Sequence, residues 1–264
     1  MRERVDIAYR YDGSFEGLLC CVYDSYARRE LPCAIAADGA AQSSLFEERR
    51  VRTDMERAER VARGIRERIS PEALEFVKLS HLTCLDEREV RILDFIRLGF
   101  CVGATVLDML ADPSVSALMQ AVRRLTHEAH LLKGFIRFSD QRGALVATIT
   151  PKNRVLPLLA DHFADRYSGE RVLIYDRTHA TALACEGGRT ALVPMENLQL
   201  NAPDERELLF RALWRRFYET IGIEGRRNER CRMSHMPKRY WANMTEFQQD
   251  EPATAAIEMD FRLR

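Results

Sequence analysis

The chain has 264 residues, of which 46% are hydrophobic, and its formal net charge at neutral pH is zero. This hydrophobic fraction is enough to bury one large core or two modest ones, so the composition excludes a mainly disordered chain. Because positive and negative charges balance, no global field draws the protein to nucleic acid, and any such binding has to come from local basic patches.

Targeting and redox signals in the sequence favour the cytoplasm. The first ten residues, MRERVDIAYR, carry charges where a signal peptide has an apolar run, and no stretch of the chain is apolar for long enough to span a membrane. The seven cysteines are scattered without a repeating spacing, which argues against a disulfide framework. We therefore expect a cytoplasmic protein that makes no membrane contact.

The chain opens with a strand that leads into a polar turn. The apolar residues of this strand alternate with more polar ones, as in a half-buried strand: Val5, Ile7, Tyr9 and Tyr11. Asp12, Gly13 and Ser14 then break the pattern, and Ser14 is an N-cap residue type for a helix that begins at Phe15. Such a turn is either a capped corner or a phosphate site at a helix N-terminus, although the charge of Asp12 opposes a phosphate.

A block of four helices is predicted from about residue 54 to residue 132. Each helix has its own N-terminal signal: Asp54, Ser70-Pro71, Asp86-x-x-Glu89 and Asp112-Pro113. Two short segments between residues 33 and 52 are candidate strands that separate this block from the first helix.

After Lys133 the pattern changes to short strands joined by turns. The segments GFIRFSD and GALVATIT predict a hairpin, VLPLLADHFADRY predicts a helix, and three further strands precede a long helix from about residue 203 to residue 221. Hairpins beside helices, without strict βαβ alternation, predict an α+β fold with a mainly antiparallel sheet. In this fold the helical block, about residues 54–132, is inserted between the N-terminal strand-helix unit and the C-terminal hairpins.

We assign residues 1–249 to a single α+β domain and treat residues 250–264 as a tail. The tail alternates apolar and charged side chains in the segment AIEMDFRLR, which predicts a strand. This strand is either an edge strand of the protein's own sheet or one that pairs with a partner.

The most basic segment is EGRRNERCRMSHMPKRYW, residues 224–241, which has six basic residues against two acidic ones. Arginine side chains suit bidentate contacts to phosphates, and flat aromatic rings can stack on unpaired bases. The alternative is a solvated basic loop whose aromatic end packs on the core. The candidate nucleic-acid-binding residues of this segment are Arg226, Arg227, Arg232, Lys238, Arg239, Tyr240 and Trp241.

A second candidate site lies where the fourth predicted helix ends. Glu128, His130 and Lys133 are close enough in sequence to converge there, and Arg137 is expected on the following strand. A carboxylate, an imidazole and cations together could carry out acid–base chemistry or bind an anion. The sequence contains no HExxH, paired CxxC, iron–sulfur cysteine array, GxGxxG or P-loop motif, so we expect no metal site and no cofactor.

Four segments together resemble a bacterial family of DNA-metabolism proteins whose biochemistry is undefined. They are YDGSFEGLLCCVYDSY, EAHLLKGFIRF, LLADHFADRY with LIYDRT, and LWRRFYETIGIEGRRNERCRMSHMPKRYW. In some members of this family the domain is fused to a uracil-DNA glycosylase, and in others it is encoded beside a radical-SAM DNA-repair protein. The chain is too short to hold a glycosylase as well, so the resemblance does not imply base excision by this polypeptide.

The resemblance implies a DNA-binding accessory protein in DNA repair or modification. Its partners would be single-stranded or damaged DNA and a radical-SAM repair protein or a uracil-DNA glycosylase. Ser14, Lys133 and Arg137 would then contact DNA together with the basic segment.

Two alternatives remain open at this point. One is an enzyme that acts on a modified nucleobase or nucleotide, with four acid–base groups: Asp12, Glu16, Glu128 and His130. The other is a protein-interaction scaffold that docks through its tail strand.

Overall fold

The computed structural model describes residues 4–39, 46–200, 205–221, 233, 236–244 and 247. The chain divides into two compact units. The first unit comprises Met1–His130 and Pro151–Leu158, and the second comprises Leu131–Thr150 and Leu159–Arg264. The assignment of residues 1–249 to a single domain stays a prediction, and the tail from residue 250 lies outside the described residues.

The first unit consists of a three-stranded sheet and a group of helices. Its elements are β1 (Val5–Tyr11), α1 (Phe15–Ala27), β2 (Pro32–Ala37), β3 (Glu47–Arg50), α2 (Met55–Arg68), α3 (Pro71–His81), α4 (Arg88–Val102) and a 3₁₀ segment (Gly103–Asp108). Helix α5 (Pro113–Phe135) begins in this unit and ends in the second. The predicted helical block is therefore confirmed.

Strand β1 lies at the centre of the first sheet, between β2 and β3, and both neighbours run parallel to it. Parallel neighbours need a crossover connection, and α1 provides it between β1 and β2. The alternating pattern of β1 predicts the buried face in the second half of the strand, where Tyr9 and Tyr11 are fully buried, whereas Val5 at its start is exposed. Strand β1 thus positions the Asp12–Ser14 turn at its carboxyl end.

The predicted N-terminal signals explain where most of these helices begin. The side chains of Ser14, Asp54 and Ser70 each accept a hydrogen bond from the backbone N–H three residues further along. Asp112 does the same for α5, accepting from Ser114 and Val115. Helix α4 differs from the prediction at Asp86, since its N-cap is Glu87, which has a left-handed backbone (φ 55°) and no side-chain cap.

The second unit contains a five-stranded sheet in the order β4-β5-β6-β7-β8. Its elements are β4 (Ser139–Asp140), β5 (Ala144–Ile149), α6 (Leu156–Arg166, which begins in the first unit), β6 (Arg171–Asp176), β7 (Thr181–Glu186), β8 (Arg189–Pro194), α7 (Glu205–Ile221) and a 3₁₀ segment (Lys238–Asn243). Three of its four strand pairings are antiparallel, and β5 pairs with β6 in parallel after the crossover through α6.

The α+β class is confirmed, with two differences in detail. The larger sheet is mainly antiparallel, as expected, whereas the three-stranded sheet is parallel throughout. The predicted first strand of the hairpin is also shorter, because α5 continues to Phe135 and the backbone N–H of Ile136 still donates to Leu132. Arg137 therefore lies in the link between α5 and β4, and its expected position on a strand is wrong.

We find no helix among the described residues that combines the length and the apolar character needed to cross a membrane.

Candidate nucleic-acid interface

The Asp12–Ser14 turn is held together by its own hydrogen bonds. The Asp12 carboxylate accepts from the backbone N–H of Ser14 at 2.9 Å and from the hydroxyls of Ser14 and Thr53, both at 2.6 Å. Burial raises the pKa of Asp12, but these hydrogen bonds outweigh it and hold the pKa below its usual range. An ionised acceptor of this kind is unsuited to act as a general acid near neutral pH.

Gly17, on the first turn of α1, makes this arrangement possible. A Cβ atom at this position would lie 2.3 Å from Oδ1 of Asp12, 2.9 Å from Oγ1 of Thr53 and 2.9 Å from Cδ2 of Tyr11. Ser14 caps the same helix by accepting from the backbone N–H of Gly17 at 2.9 Å. The turn is therefore a tightly packed helix cap, which is the structural alternative that the sequence left open.

A buried histidine lies beneath this turn. The Tyr11 hydroxyl is 3.5 Å from Nε2 of His81 and donates to Glu89 at 3.2 Å. Burial, together with the nearby charges of Arg88 and Arg154, lowers the pKa of His81 to about 4. His81 is therefore neutral at physiological pH and serves as a polar support for the turn.

Glu128 has a structural role as well. Its side chain is 2% exposed and accepts hydrogen bonds from the backbone N–H groups of Lys152 (3.1 Å) and Asn153 (2.9 Å) and from the side-chain amide of Asn153 (2.7 Å). The side-chain carbonyl oxygen (Oδ1) of Asn153 in turn accepts a hydrogen bond from the backbone N–H of Cys84 at 2.9 Å. Glu128 thus fastens the segment after β5 to α5 and to the link between α3 and α4.

The predicted acid–base pair of Glu128 and His130 is not formed. His130 is exposed whereas Glu128 is buried, because residues two positions apart on an α-helix point about 200° apart. Asp12 and Glu128 are held by separate sets of partners, and Glu16 is half-buried on the first turn of α1. The expected convergence of Glu128 and His130 is therefore wrong, because the two side chains lie on different sides of α5.

The second unit contains an open cleft of about 520 Å³. Residues from α5, the α5–β4 link, β5, α6 and α7 line it: Lys133, Gly134, Ile136, Arg137, Phe138, Leu145, Phe163, Arg166, Tyr167, Glu207, Phe210, Arg211 and Trp214. The α6 and α7 residues in this set recur at intervals of three and four, so each helix presents one face to the cleft. We refer to these thirteen residues as the cleft.

The lining of the cleft has a net positive charge. Four of its residues are cationic and one, Glu207, is acidic. Glu207 is paired with Arg211, whose Nε donates to it at 2.8 Å, and the same arginine donates to the Ser139 hydroxyl at 2.8 Å. Lys133 and Arg166 have exposed side chains at the cleft, so positive charge is accessible to a ligand there.

Arg137 contributes a further cation in a defined position. Its guanidinium lies 5.5 Å from the centroid of the Trp214 ring, within cation–π range. It also donates to the carbonyl of Gly134 at 2.9 Å, at the carboxyl end of α5. These contacts fix the guanidinium against the indole and complete the end of the helix.

Aromatic rings form much of the remaining lining. Phe138 makes edge contacts with Phe163 and Tyr167, with ring centroids 5.6 and 5.2 Å apart. On α7, Trp214 is 38% exposed and Phe210 is 54% exposed. Exposed aromatic residues beside cations are a combination that suits stacking on bases together with contacts to phosphates.

The aromatic end of the basic segment differs in part from the role that the sequence predicts for it. Tyr240 is only 5% exposed, and its ring packs against Phe135 with centroids 5.6 Å apart. It cannot therefore stack on a base, and it is instead the aromatic anchor of the alternative interpretation. The exposed Arg239 lies over the Tyr240 ring at 4.7 Å.

Trp241 is half-buried, with its ring stacked on Phe247 at 4.5 Å and its Nε1 donating to the carbonyl of Met236. The ammonium of Lys238, which is exposed, lies 5.8 Å from the Trp241 ring centroid. The remaining predicted residues of this segment, Arg226, Arg227 and Arg232, lie outside the described part of the chain.

Of the predicted nucleic-acid contacts, the structure brings Lys133 and Arg137 together in the cleft, whereas Ser14 lies in the first unit as a helix cap. Sequence reasoning missed the partners of Lys133 and Arg137, namely Arg166, Tyr167, Phe210, Arg211 and Trp214. The α7 members of this set could have been found from the spacing of Glu207, Phe210, Arg211 and Trp214, which puts arginine and aromatic side chains on one face of the helix.

Among the residues that the structure describes, no three histidine, cysteine, aspartate or glutamate side chains are grouped closely enough to hold a metal ion.

Residues 86–246 match the family model described as a domain of unknown function, DUF4130. The chain belongs to this family. The matched range includes every residue of the cleft, whereas the Asp12–Ser14 turn lies before it. No curated protein matches the chain.

Proposed function

We propose that this protein binds DNA in the cleft of its second unit and acts as an accessory protein in DNA repair or modification. The observation that carries the proposal is the presence of cationic and exposed aromatic side chains in one cleft. Lys133 and Arg166 supply exposed positive charge, and Trp214 and Phe210 supply flat apolar surface. Nucleic acid is the common ligand that offers both phosphates and π-faces to such a surface.

The local charge of the cleft also fits a chain without net charge. Binding to phosphates releases counterions and makes affinity depend on salt, even where the rest of the protein is electrostatically neutral. Since Glu207 pairs with Arg211, the negative charge in the lining is compensated within the cleft. The exposed Lys238 and Arg239 add positive charge on the 3₁₀ segment of the same unit.

The accessory role rests on the resemblance and on the roles of the acid–base candidates. Asp12 and Glu128 act as hydrogen-bond acceptors inside the first unit, and neither lines the cleft. No observation favours the alternative hypothesis of an enzyme that acts on a modified nucleobase or nucleotide through these residues. We therefore propose that a partner supplies the chemistry, either a radical-SAM repair protein or a uracil-DNA glycosylase.

A triple substitution in the cleft tests DNA binding. We expect Lys133→Ala, Arg137→Ala and Arg166→Ala together to weaken binding to single-stranded DNA by tenfold or more. The slope of log affinity against log salt should also become shallower by about 1.4, the change expected from about two lost phosphate contacts to a single strand. Fluorescence anisotropy with a labelled oligonucleotide at several salt concentrations measures both quantities.

A matched triple variant controls for the loss of positive charge. Arg142, Arg177 and Arg189 are exposed, belong to the second unit and do not line the cleft. Their replacement by alanine removes the same formal charge and should leave affinity and salt slope nearly unchanged. Equal losses in the two triple variants, or no loss in the cleft variant, would contradict the proposal.

The partner role has a separate test. If a radical-SAM repair protein from the same organism modifies DNA, adding this chain should increase its rate on dilute DNA, and the cleft triple variant should not. A stimulation that survives the triple variant would show that the chain acts without its cleft.

A further inference from the structure

We infer that the cleft receives a single unpaired base at the Arg137–Trp214 pair, while Lys133 and Arg166 contact the adjoining phosphates. The ligand is then a single strand or a locally opened one, in preference to an intact duplex. This inference rests on the proposed DNA-binding function and specifies which part of the nucleic acid enters the cleft.

Trp214 is the residue best placed to meet a base. It lies on the cleft-facing side of α7 and keeps 38% of its surface exposed. Its ring stacks with Phe217, at a centroid distance of 5.3 Å and an interplanar angle of 24°, so the indole is supported by a neighbour on its own helix. A supported, exposed indole loses little conformational entropy when a ligand stacks on it.

Arg137 is the second flat group at this position. Its hydrogen bonds to Gly134 and Ile136 hold the guanidinium over the indole, with Cζ 5.5 Å from the ring centroid. Guanidinium planes stack on unpaired bases as aromatic rings do. The Arg137–Trp214 pair therefore offers a stacking surface that also carries positive charge.

The size of the cleft and the position of its cations favour a nucleotide over a larger ligand. A volume of about 520 Å³ lies within the range of about 300 to 1,000 Å³ that is typical of small-molecule sites. Lys133 comes from the last turn of α5 and Arg166 from the last turn of α6, so cations from two separate elements line the same cleft as the aromatic rings. Bases in an intact duplex are stacked and paired, and they would have to leave the helix to enter.

Tryptophan fluorescence tests this inference because the chain has two tryptophans, Trp214 and Trp241. A Trp241→Phe variant leaves the indole of Trp214 as the reporter. Titration with a thymidine oligonucleotide of about 12 nucleotides, within the usual site sizes for single strands, should quench this fluorescence with the same midpoint as the anisotropy change. The matched Trp214→Phe variant, which leaves Trp241, should bind with little quenching.

An abasic oligonucleotide of the same length separates stacking from contacts to phosphate. It should bind the Trp241→Phe variant more weakly and without quenching, since it presents phosphates but no bases. A duplex of matched length should likewise give little quenching. Trp214→Ala should lower the affinity for the thymidine strand by about tenfold or more, and far-UV circular dichroism of this surface variant checks that it is folded.

Two results would overturn the inference, and each can be told apart from failure of the proposed function. Tight binding of the thymidine strand without quenching in the Trp241→Phe variant would leave DNA binding in place but remove the base from Trp214. Equal affinity for the thymidine and abasic strands would do the same. If no oligonucleotide binds the unsubstituted chain at low salt, the proposed function itself fails.

Discussion

In the first unit, three of the polar side chains that the sequence singles out, Asp12, Ser14 and Glu128, make hydrogen bonds to partners within the chain. Asp12 and Glu128 each accept several hydrogen bonds from nearby donors. In the second unit, Lys133, Arg166 and Trp214 line an open cleft and keep exposed surface. The difference shows that residues of similar chemical type can stabilise a fold in one place and be available to a ligand in another.

The contrast between the two units can be tested by measuring stability and DNA affinity in the same variants. Substitutions in the hydrogen-bond networks of the first unit should lower stability and leave DNA affinity alone, whereas substitutions in the cleft should do the reverse. Any variant that moves both quantities together weakens the contrast.

The largest effect is expected at Glu128. Replacement by alanine leaves the buried backbone N–H and side-chain amide of Asn153 and the partly buried N–H of Lys152 without this acceptor, which should lower the free energy of unfolding by about 3 kcal/mol or more. Urea unfolding followed by circular dichroism measures this loss. His130→Ala, on the exposed side of the same helix, is the control and should change stability by less than about 0.5 kcal/mol.

A second effect depends on pH and comes from His81. Its pKa is lowered to about 4 by burial and by Arg88 and Arg154, while in the unfolded chain it is about 6.5. As the pH falls through this window, the unfolded chain binds the proton first, so the free energy of unfolding decreases, by about 3 kcal/mol in total below pH 4. The contribution of His81 to the free energy of unfolding is therefore greatest above about pH 6.5.

The contribution of His81 is isolated by comparing variants. In His81→Gln the decrease in unfolding free energy between about pH 7 and about pH 5 should be smaller than in the unsubstituted chain. His130→Gln, which alters an exposed histidine, should keep the full decrease. Identical pH dependence in His81→Gln and the unsubstituted chain would show that His81 titrates normally in the folded protein.

Two glycines in helices should respond to alanine in opposite directions. At Gly17 the new Cβ would approach the Asp12, Thr53 and Tyr11 side chains within 2.9 Å or less, which should cost about 2 kcal/mol through overpacking. At Gly64, in α2, the nearest atom belongs to Phe100 at an ordinary 3.6 Å. Gly64→Ala should therefore stabilise the protein by about 0.5 to 1 kcal/mol through helix propensity. Thermal or urea unfolding of both variants decides whether the turn is as tightly packed as described.

The smallest effects separate the two regions most clearly. Ser14→Ala removes the cap of α1 and should lower the unfolding free energy by about 1 kcal/mol, with no change in affinity for single-stranded DNA. Lys133→Ala should weaken DNA binding and leave stability within about 0.5 kcal/mol of the starting value. A loss of DNA affinity in Ser14→Ala would instead support the alternative that the N-terminus of α1 binds a phosphate.

The sequence predicts the local features of the fold well. Ser14, Asp54, Ser70 and Asp112 each act as the N-cap that their residue type and position indicate, because capping depends only on a few neighbouring residues. The same locality explains why the strand pattern of β1 predicts the burial of Tyr9 and Tyr11. The alternating pattern does not reveal strand direction, since a period of two residues is the same in parallel and antiparallel pairs.

The cleft could not be predicted in the same way because its parts are far apart in sequence. Lys133, Arg166 and Trp214 come from three helices that only the folded sheet of the second unit brings together. Lys133 and Arg137 were found as candidates through the resemblance and their charge, and their neighbours were not. Trp214 lies on the same helix as Leu213 and Phe217, whose helical spacing is typical of a buried apolar face although each is about half exposed.

The most direct test of the cleft as the DNA-binding surface is photocrosslinking to single-stranded DNA that contains 5-iododeoxyuridine, followed by mass spectrometry of the crosslinked peptides. The iodinated base reacts mainly with aromatic side chains that stack on it. We expect crosslinks within α7, at Trp214 or Phe210, and their loss in the cleft triple variant. Crosslinks that fall instead in residues 11–17, beside the Asp12–Ser14 turn, would contradict this expectation.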